Sequence, residues 1–196
     1  MAHKEKEKLN IKIGIACQDT VYSKTMASIA FNIIQSKGLI TDVLMRQGSD
    51  IVSARNWIIQ KALEDGATHV LFVDHDMVFP KNTLETLLKD GKDIIGVEYF
   101  MRKFPREHTF APLVAPEIGV GYEKPYKARF CGTGLMLINL KVFEKMTKPW
   151  FNNGRDDKGQ VAIGEDAWFC LTAQDCGLEV WIDPTLQVGH IGNYIF

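Results

Sequence analysis

Apolar runs of strand length alternate with segments of helical period from residue 11 almost to the end of the chain, and glycines stand behind the helical segments. Such alternation restricts the fold to layered α/β arrangements, in which helices cover a central sheet. The β-branched run 11–16 predicts a buried first strand. Met26, Ile29, Ala30, Ile33 and Ile34 recur at helical spacing before Gly38 and predict a helix with those residues inward. A second strand is expected over 39–45. A second helix is expected from about 51, with Ile58, Ile59, Ala62 and Leu63 inward and Gly66 behind it. The run 70–73 reads as a strand, 80–90 as a helix carrying Leu84, Leu87 and Leu88 on one face, and 94–97 as a strand. Prolines 105, 112, 116 and 125 make 101–127 a long loop region. Beyond it follow a strand over 134–140, a short helix over 141–146, a polar stretch over 151–159, a helix over 165–176 and strands over 179–183 and 185–188.

At 196 residues the chain has room for one domain with a real core. We expect a disordered charged tail over 1–10 and a single domain over 11–196. Net charge is −1, so no general field attracts nucleic acid or an anionic membrane. No apolar run approaches the ~20 residues of a membrane span, and the charged start lacks an apolar signal region, so a cytoplasmic protein is expected. Cysteines 17, 131, 170 and 176 form no CxxC pair and are expected to be reduced and mostly buried.

The chemistry concentrates in three places. First, the run 70–73 enters Asp74-His75-Asp76. In extended backbone, residues i and i+2 share a face, so both carboxylates can address one point while His75 turns away. Ligands of open α/β sheets bind at the carboxyl ends of strands, and hard oxygen donors there suit Mg²⁺ or Mn²⁺ on a diphosphate. The same two residues could also do no more than cap a strand end and the following helix. Second, Gly164-Glu165-Asp166 opens a helix. One acid there is explained by the positive helix end; two adjacent acids suggest a proton to manage, as in a general base. Third, Gly189-His190 follows a strand, where a neutral imidazole could join a carboxylate metal site.

In order, Ala54-Arg55-Asn56, the 71–76 segment, Gly132-Thr133-Gly134 with Leu135-Met136-Leu137, Gly164-Glu165-Asp166 and Gly189-His190 resemble family 2-like glycosyltransferases of the GT-A fold, particularly short soluble phage and bacterial versions. The resemblance spans roughly 11–192. It implies a single-domain α/β fold with a mostly parallel central sheet flanked by helices, a nucleotide-diphospho-sugar donor, a hydroxyl acceptor (glycan, protein or modified base), Mn²⁺ or Mg²⁺, and inverting transfer. By that resemblance Asp76 and His190 would ligate the metal. Asp74 would face the ribose or metal-bound water. Asp166 would be the base, with Glu165 beside it. Arg55 would lie near the diphosphate, and Asn56 would help fix that helix start. Gly132, Thr133 and Gly134 would form the acceptor-side loop.

Two departures stand out. The first two strands end in Cys17-Gln18-Asp19 and Gln47-Gly48-Ser49-Asp50, so Gln18, Asp19 or Asp50 would read the base and the nucleotide stays open. Arg102, with Lys103 and Arg106, could add charge on the phosphate side or be a solvated turn. Shielding of the donor would come from 101–127, from 151–163 or from a partner chain. A retaining transferase, a nucleotidylyltransferase and a catalytically silent binding module of the same fold are the competing readings. The second lacks its glycine-rich basic loop after the first strand. A Rossmann dehydrogenase is excluded by the absence of GxGxxG there.

Overall fold

A computed structural model describes residues 8–100, 108–113 and 123–192. The expected alternation is present, as strands β1 (Ile11–Cys17), β2 (Ile40–Gln47), β3 (His69–Val73), β4 (Met77–Val78), β5 (Ile94–Val97), β6 (Phe110–Pro112), β7 (Tyr126–Cys131), β8 (Leu135–Asn139), β9 (Gly154–Arg155), β10 (Val161–Ile163), β11 (Val180–Asp183) and β12 (Gly189–His190). The helices are α1 (Ser23–Gln35), α2 (Ile51–Glu64), α3 (Thr83–Asp90) and α4 (Glu165–Asp175), with a 3-10 turn at Leu140–Glu144.

Eight strands form one sheet in the order β2-β1-β3-β8-β5-β11-β7-β6. β2, β1 and β3 pair in parallel, as do β5 and β11, while β8 runs against both of its neighbours and β7 against both of its own. Six strands therefore point one way and two the other, the mostly parallel sheet expected. Alternation sorts the apolar side chains onto two faces. Val70, Phe72, Met136, Ile138 and Ile182 meet α2 and α4 through Ile58, Ile59, Phe169 and Ala173. Ile11, Ile13, Ile15, Leu71, Val73 and Leu137 meet α1 and α3 through Ile29, Leu84 and Leu87.

Several expectations need correction. Met26, Ala30, Ile33 and Ile34 were expected inward on α1, yet all are exposed, Ile34 by 72%. The buried face is Thr25, Ser28, Ile29 and Asn32. It is polar because it fastens the chain that follows β4: Ser28 Oγ accepts from Phe79 N at 3.1 Å, and Asn32 donates to Pro80 O at 2.9 Å and accepts from Leu84 N at 3.1 Å. Leu63 is also exposed, because the buried face of α2 is Ala54, Arg55, Ile58, Ile59 and Ala62. No strand covers 185–188; the chain bends there and pairs only as β12, antiparallel to β4. Phe151, placed in a polar loop, is fully buried against Phe72 and Phe169. Asn10, expected within a disordered tail over 1–10, bonds Thr68 through its N–H and carbonyl, and its amide donates to Gly66 O; residues 1–7 lie outside the described residues. All four cysteines are free, and three are buried. Among the described residues no helix is long and apolar enough to cross a membrane.

Gly14 fixes the spacing of β1 against α2. A Cβ there would stand 2.6 Å from Ile58 Cγ2. Gly14→Ala should therefore lose about 1–3 kcal/mol in urea unfolding, the usual cost of overpacking. Combined with Ile58→Ala, the two losses should sum to more than the double variant shows.

Candidate active site

The carboxyl ends of β1, β2, β3 and β5 lie along one edge of the sheet, and the start of antiparallel β8 reaches the same edge, where Leu135 pairs with Val73. The turns leaving those strands carry most of the polar residues singled out by the sequence.

At their centre is Arg55, in the first turns of α2 and only 2% exposed. Its guanidinium reaches Asp74 Oδ1 at 3.1 Å and Glu165 Oε1 at 2.5 Å. Burial works against the charge, but Asp74, Glu165 and Asp166 together outweigh it and hold the guanidinium above its usual range. One buried cation thus ties the end of β3 to the start of α4. Asp166, next along α4, has its carboxyl pushed above the usual aspartate range by burial and then by Glu165, with Arg55 opposing. Its Oδ1 accepts from Ala167 N at 2.7 Å. A raised carboxylate is the more basic one, which suits proton abstraction.

The Asp74–Asp76 segment is a turn rather than extended backbone, closed by Met77 N donating to Asp74 O at 3.3 Å. The i, i+2 argument therefore does not apply. Asp74 turns to Arg55, while Asp76 is 1% exposed beneath it. β12 lies on β4 with His190 opposite Met77, and Ile191 N donates to Asp76 O at 2.8 Å. That pairing sets His190 Nε2 3.3 Å from Asp76 Oδ1. His75, expected to turn away, stacks on Tyr22 and keeps Nε2 3.9 Å from Asp76 Oδ2.

His190 Nδ1 lies 2.9 Å from Phe100 O. A carbonyl oxygen only accepts, so Nδ1 carries its hydrogen. In the neutral ring Nε2 is then a lone pair facing a carboxylate, an arrangement relieved by a second ring proton or by a cation between the two. The donor set therefore fits a divalent cation, and a backbone-anchored imidazole is the usual way to orient a ligand. Among the described residues no group of three His, Cys, Asp or Glu side chains is placed to hold a metal. The structure brings together Asp76 and His190, while Asp74 forms an ion pair with Arg55. Two protein ligands suffice for Mg²⁺-type sites that draw the rest from phosphate and water.

A cavity of about 400 Å³ opens beside this cluster, lined by Cys17, Gln18, Asp19, Gly48, Ser49 and His75 among others. Gln18 and Asp19 are thus in one wall, and Gln47 donates to Asp19 Oδ1 at 3.3 Å. Burial, then Asp19, raises the Cys17 thiol. Asp50 is occupied elsewhere: it caps α2 by accepting from Val52 N, Ser53 N and the Ser53 hydroxyl, which holds its carboxyl below the usual range. Asn56 is likewise engaged, accepting from Trp150 N and Phe151 N and donating to Phe151 O. It ties the 150–151 backbone to α2.

Gly132, Thr133 and Gly134 meet the site edge, and the glycines have a reason the sequence did not reveal. Cβ atoms there would stand 2.2 and 2.6 Å from the Tyr99 hydroxyl. That hydroxyl accepts from Gly134 N at 2.9 Å, and Gly134 O accepts from Asp74 N at 2.8 Å. Tyr99 is buried, packs edge-on to His190 at 5.6 Å and has its phenol raised well above the usual range by burial and then Asp74. An aromatic two residues beyond the end of β5, just after Glu98, was the available signal. Arg102, Lys103 and Arg106 lie outside the described residues.

Removing the central cation exposes this electrostatics. Arg55→Met leaves Asp74, Glu165 and Asp166 without it and should cost about 3–5 kcal/mol at neutral pH. In that variant the Asp166 carboxyl, already above the usual aspartate range, loses the opposing Arg55 charge and rises further. Its contribution is then favourable below about pH 4 and lost as pH rises. Denaturant unfolding between pH 4 and 8 should show the gap to wild type narrowing toward acid.

By sequence the chain matches no family model and no curated protein. By structure it is similar to A197 from STIV, at TM-score 0.66 and 18% identity over 93% of this chain and 86% of that one. It is also similar to GalNAc-T7 with UDP, GalNAc and Mn²⁺, at TM-score 0.53 and 14% identity, covering 95% of this chain but only 44% of that one. A Bacillus anthracis structure described as a glucose-1-phosphate thymidylyltransferase, in complex with a sucrose, gives TM-score 0.51 and 12% identity over 92% and 89%. At such identities the likeness establishes architecture: the chain has the GT-A-like α/β fold common to glycosyl- and nucleotidyltransferases.

Proposed function

We propose that the chain transfers a sugar from a nucleotide-diphospho-sugar to an acceptor hydroxyl, probing the donor with Gln18, Asp19 and His75 and a divalent cation with Asp76 and His190. The observation that carries this reading is the Asp76–His190 pair standing at the same sheet edge as the raised Asp166 carboxyl and the nucleoside-sized cavity. A bound Mn²⁺ or Mg²⁺ would supply positive charge for the leaving diphosphate. Asp76 and His190 would hold it, while Arg55 keeps Asp74 and Glu165 in place as ion-pair partners. Asp166 accepts the proton of the acceptor hydroxyl as its oxygen bonds to the anomeric carbon and the carbon–phosphate-oxygen bond breaks, releasing the nucleoside diphosphate. Attack from the face opposite the leaving group inverts the anomeric centre. The Gly132-Thr133-Gly134 turn would border the acceptor.

The fold is shared with nucleotidyl transfer, but Cys17-Gln18-Asp19 after β1 offers no glycine-rich basic loop for a triphosphate. A binding module without turnover would release no nucleoside diphosphate from any nucleotide sugar in the presence of Mn²⁺, and that result would refute the enzymatic reading.

Three variants test the roles. Asp166→Asn should keep donor and metal affinity and lose ~10²–10⁴-fold in kcat; undiminished turnover would move the base elsewhere, with Glu165 next. Asp76→Asn should abolish most of the rise in Tm produced by Mn²⁺ with a nucleoside diphosphate, since a ligand of the native state stabilises it. Glu165→Gln should move the acid limb of kcat/KM to lower pH, because Asp166 loses the neighbouring charge that helps raise it; an unmoved limb would exclude Asp166 as the titrating group.

A further inference from the structure

β2 ends the large sheet, and among the described residues only β1 pairs with it. Just past its end, Gly48 N donates to Cys17 O, so the alternate residues back from it, 46 and 44, also turn their backbone toward β1. Val43, Met45 and Gln47 then turn theirs outward. The Val43 N–H agrees with that parity: its acceptor is the carboxylate of its own neighbour, Asp42 Oδ1, at 2.8 Å. An eight-residue edge with outward donors and acceptors is a template for another strand.

The elements flanking this edge are apolar where solvent would favour polar residues. Among the described residues twelve large apolar side chains are exposed; four stand on α1, three on α2 and one, Met45, on β2 itself. Ile34 of α1 is 72% exposed and Met45 46%. Exposed apolar surface gathered in this way marks an interaction site.

Asp42 and Arg46 are the charged residues of β2, and both are exposed. They lie on the α2 side of the strand: Arg46 stacks over Trp57 at 5.2 Å, and the Asp42 charge acts on Lys61. Asp42 is 3.9 Å from Lys12, and its side chain remains 54% exposed. Charges on an edge usually discourage pairing. These two have opposite sign and stand two residues to either side of Leu44. A second β2 laid antiparallel and centred on Leu44 sets each Asp42 opposite the partner's Arg46. It also makes Val43 and the partner's Met45 a hydrogen-bonded pair, as the outward groups require, and releases Asp42 Oδ1 from the Val43 N–H. Centring on Val43 or Met45 instead sets Leu44 opposite one charge and leaves both charges unmatched.

We infer that two copies of this chain associate through β2, joining their sheets across a two-fold axis at Leu44, with α1 and α2 covering their exposed apolar residues against the other copy. An unrelated strand has no reason to present both charges at this spacing, and a lipid surface would leave the outward backbone groups unpaired. The same register runs the partner's strand past Gln47 toward Gly48 and Ser49, so each copy borders the cavity that those two residues line.

Sedimentation velocity of the wild type at ~0.1 mM, enough to reveal a dimer with Kd below that value, should find a dimer. Asp42→Arg and Arg46→Asp each bring like charges together at both contacts and should weaken it about tenfold or more. Met45→Pro deletes an outward N–H without removing a bond to β1 and should act likewise. All three positions are exposed, so thermal melts of the charge variants should stay close to wild type. Mixing the two charge variants restores opposite signs at both contacts and should yield a heterodimer from two weakly associating chains. A monomeric wild type overturns the inference and gives the edge to a different occupant. A dimer that survives both charge changes overturns it too, as does a mixture no tighter than its components, since either result places the contact on another face or in another register.

Discussion

A single buried guanidinium organises this molecule's functional edge. Arg55 comes from a helix whose other inward residues are apolar, and it reaches across to the end of β3 and the start of α4. Two carboxylates contact it directly, and a third, Asp166, lies within its field. Without that cation the three acids would repel one another and draw in water. With it, Asp74 and Glu165 are held as ion-pair partners, and Asp166 is left with burial and like charge acting on it. The result is a division of labour among neighbouring acids, in which environment rather than residue type sets which carboxyl is the more basic.

The second joint is made of backbone. β4 and β12 are only two residues each, yet their pairing brings positions 76 and 190 together across more than half the chain. Short strands contribute little stability alone. Here the chain flanking β4 is additionally held by Ser28 and Asn32 from α1, and Tyr99 supports the Gly134 and His190 side. The carboxylate–imidazole pair is therefore supported from three separate elements.

What could be read from the sequence follows from how local each signal is. Periods of two and of 3.6 depend on near neighbours, so the four helices and the strands β1, β2, β3, β5, β8 and β11 were legible, whereas β7 and the short β4, β6, β9, β10 and β12 fall in stretches read as loop or given no element. Arg55, Asp76, Asp166 and His190 were singled out through their motifs and the resemblance rather than through any period. Periodicity could not reveal which face of α1 is inward, because there hydrogen bonds to a distant turn outcompete the burial of Met26 and Ile34. It could not reveal that 74–76 is a turn, since a strand's end is decided by what closes over it. The glycines at 132 and 134 were conspicuous, but their cause is a hydroxyl 35 residues away from the second of them. Asp50 and Asn56 were chemically suitable for a ligand, and the structure spends both on backbone N–H groups instead.

The polar inner face of α1 has a consequence for how accurately the turn after β3 is placed. Apolar packing is tolerant: a helix seated on greasy contacts can rotate or slide by a fraction of a turn and still bury nearly the same area. Hydrogen bonds from Ser28 and Asn32 to named backbone atoms at 79, 80 and 84 lack that tolerance, because each has a direction and a narrow range of length. Exchanging greasy contacts for directional ones gives up some burial on α1. In return it removes the sliding freedom of the segment leading away from Asp76, so α1 serves as a positional reference for that turn.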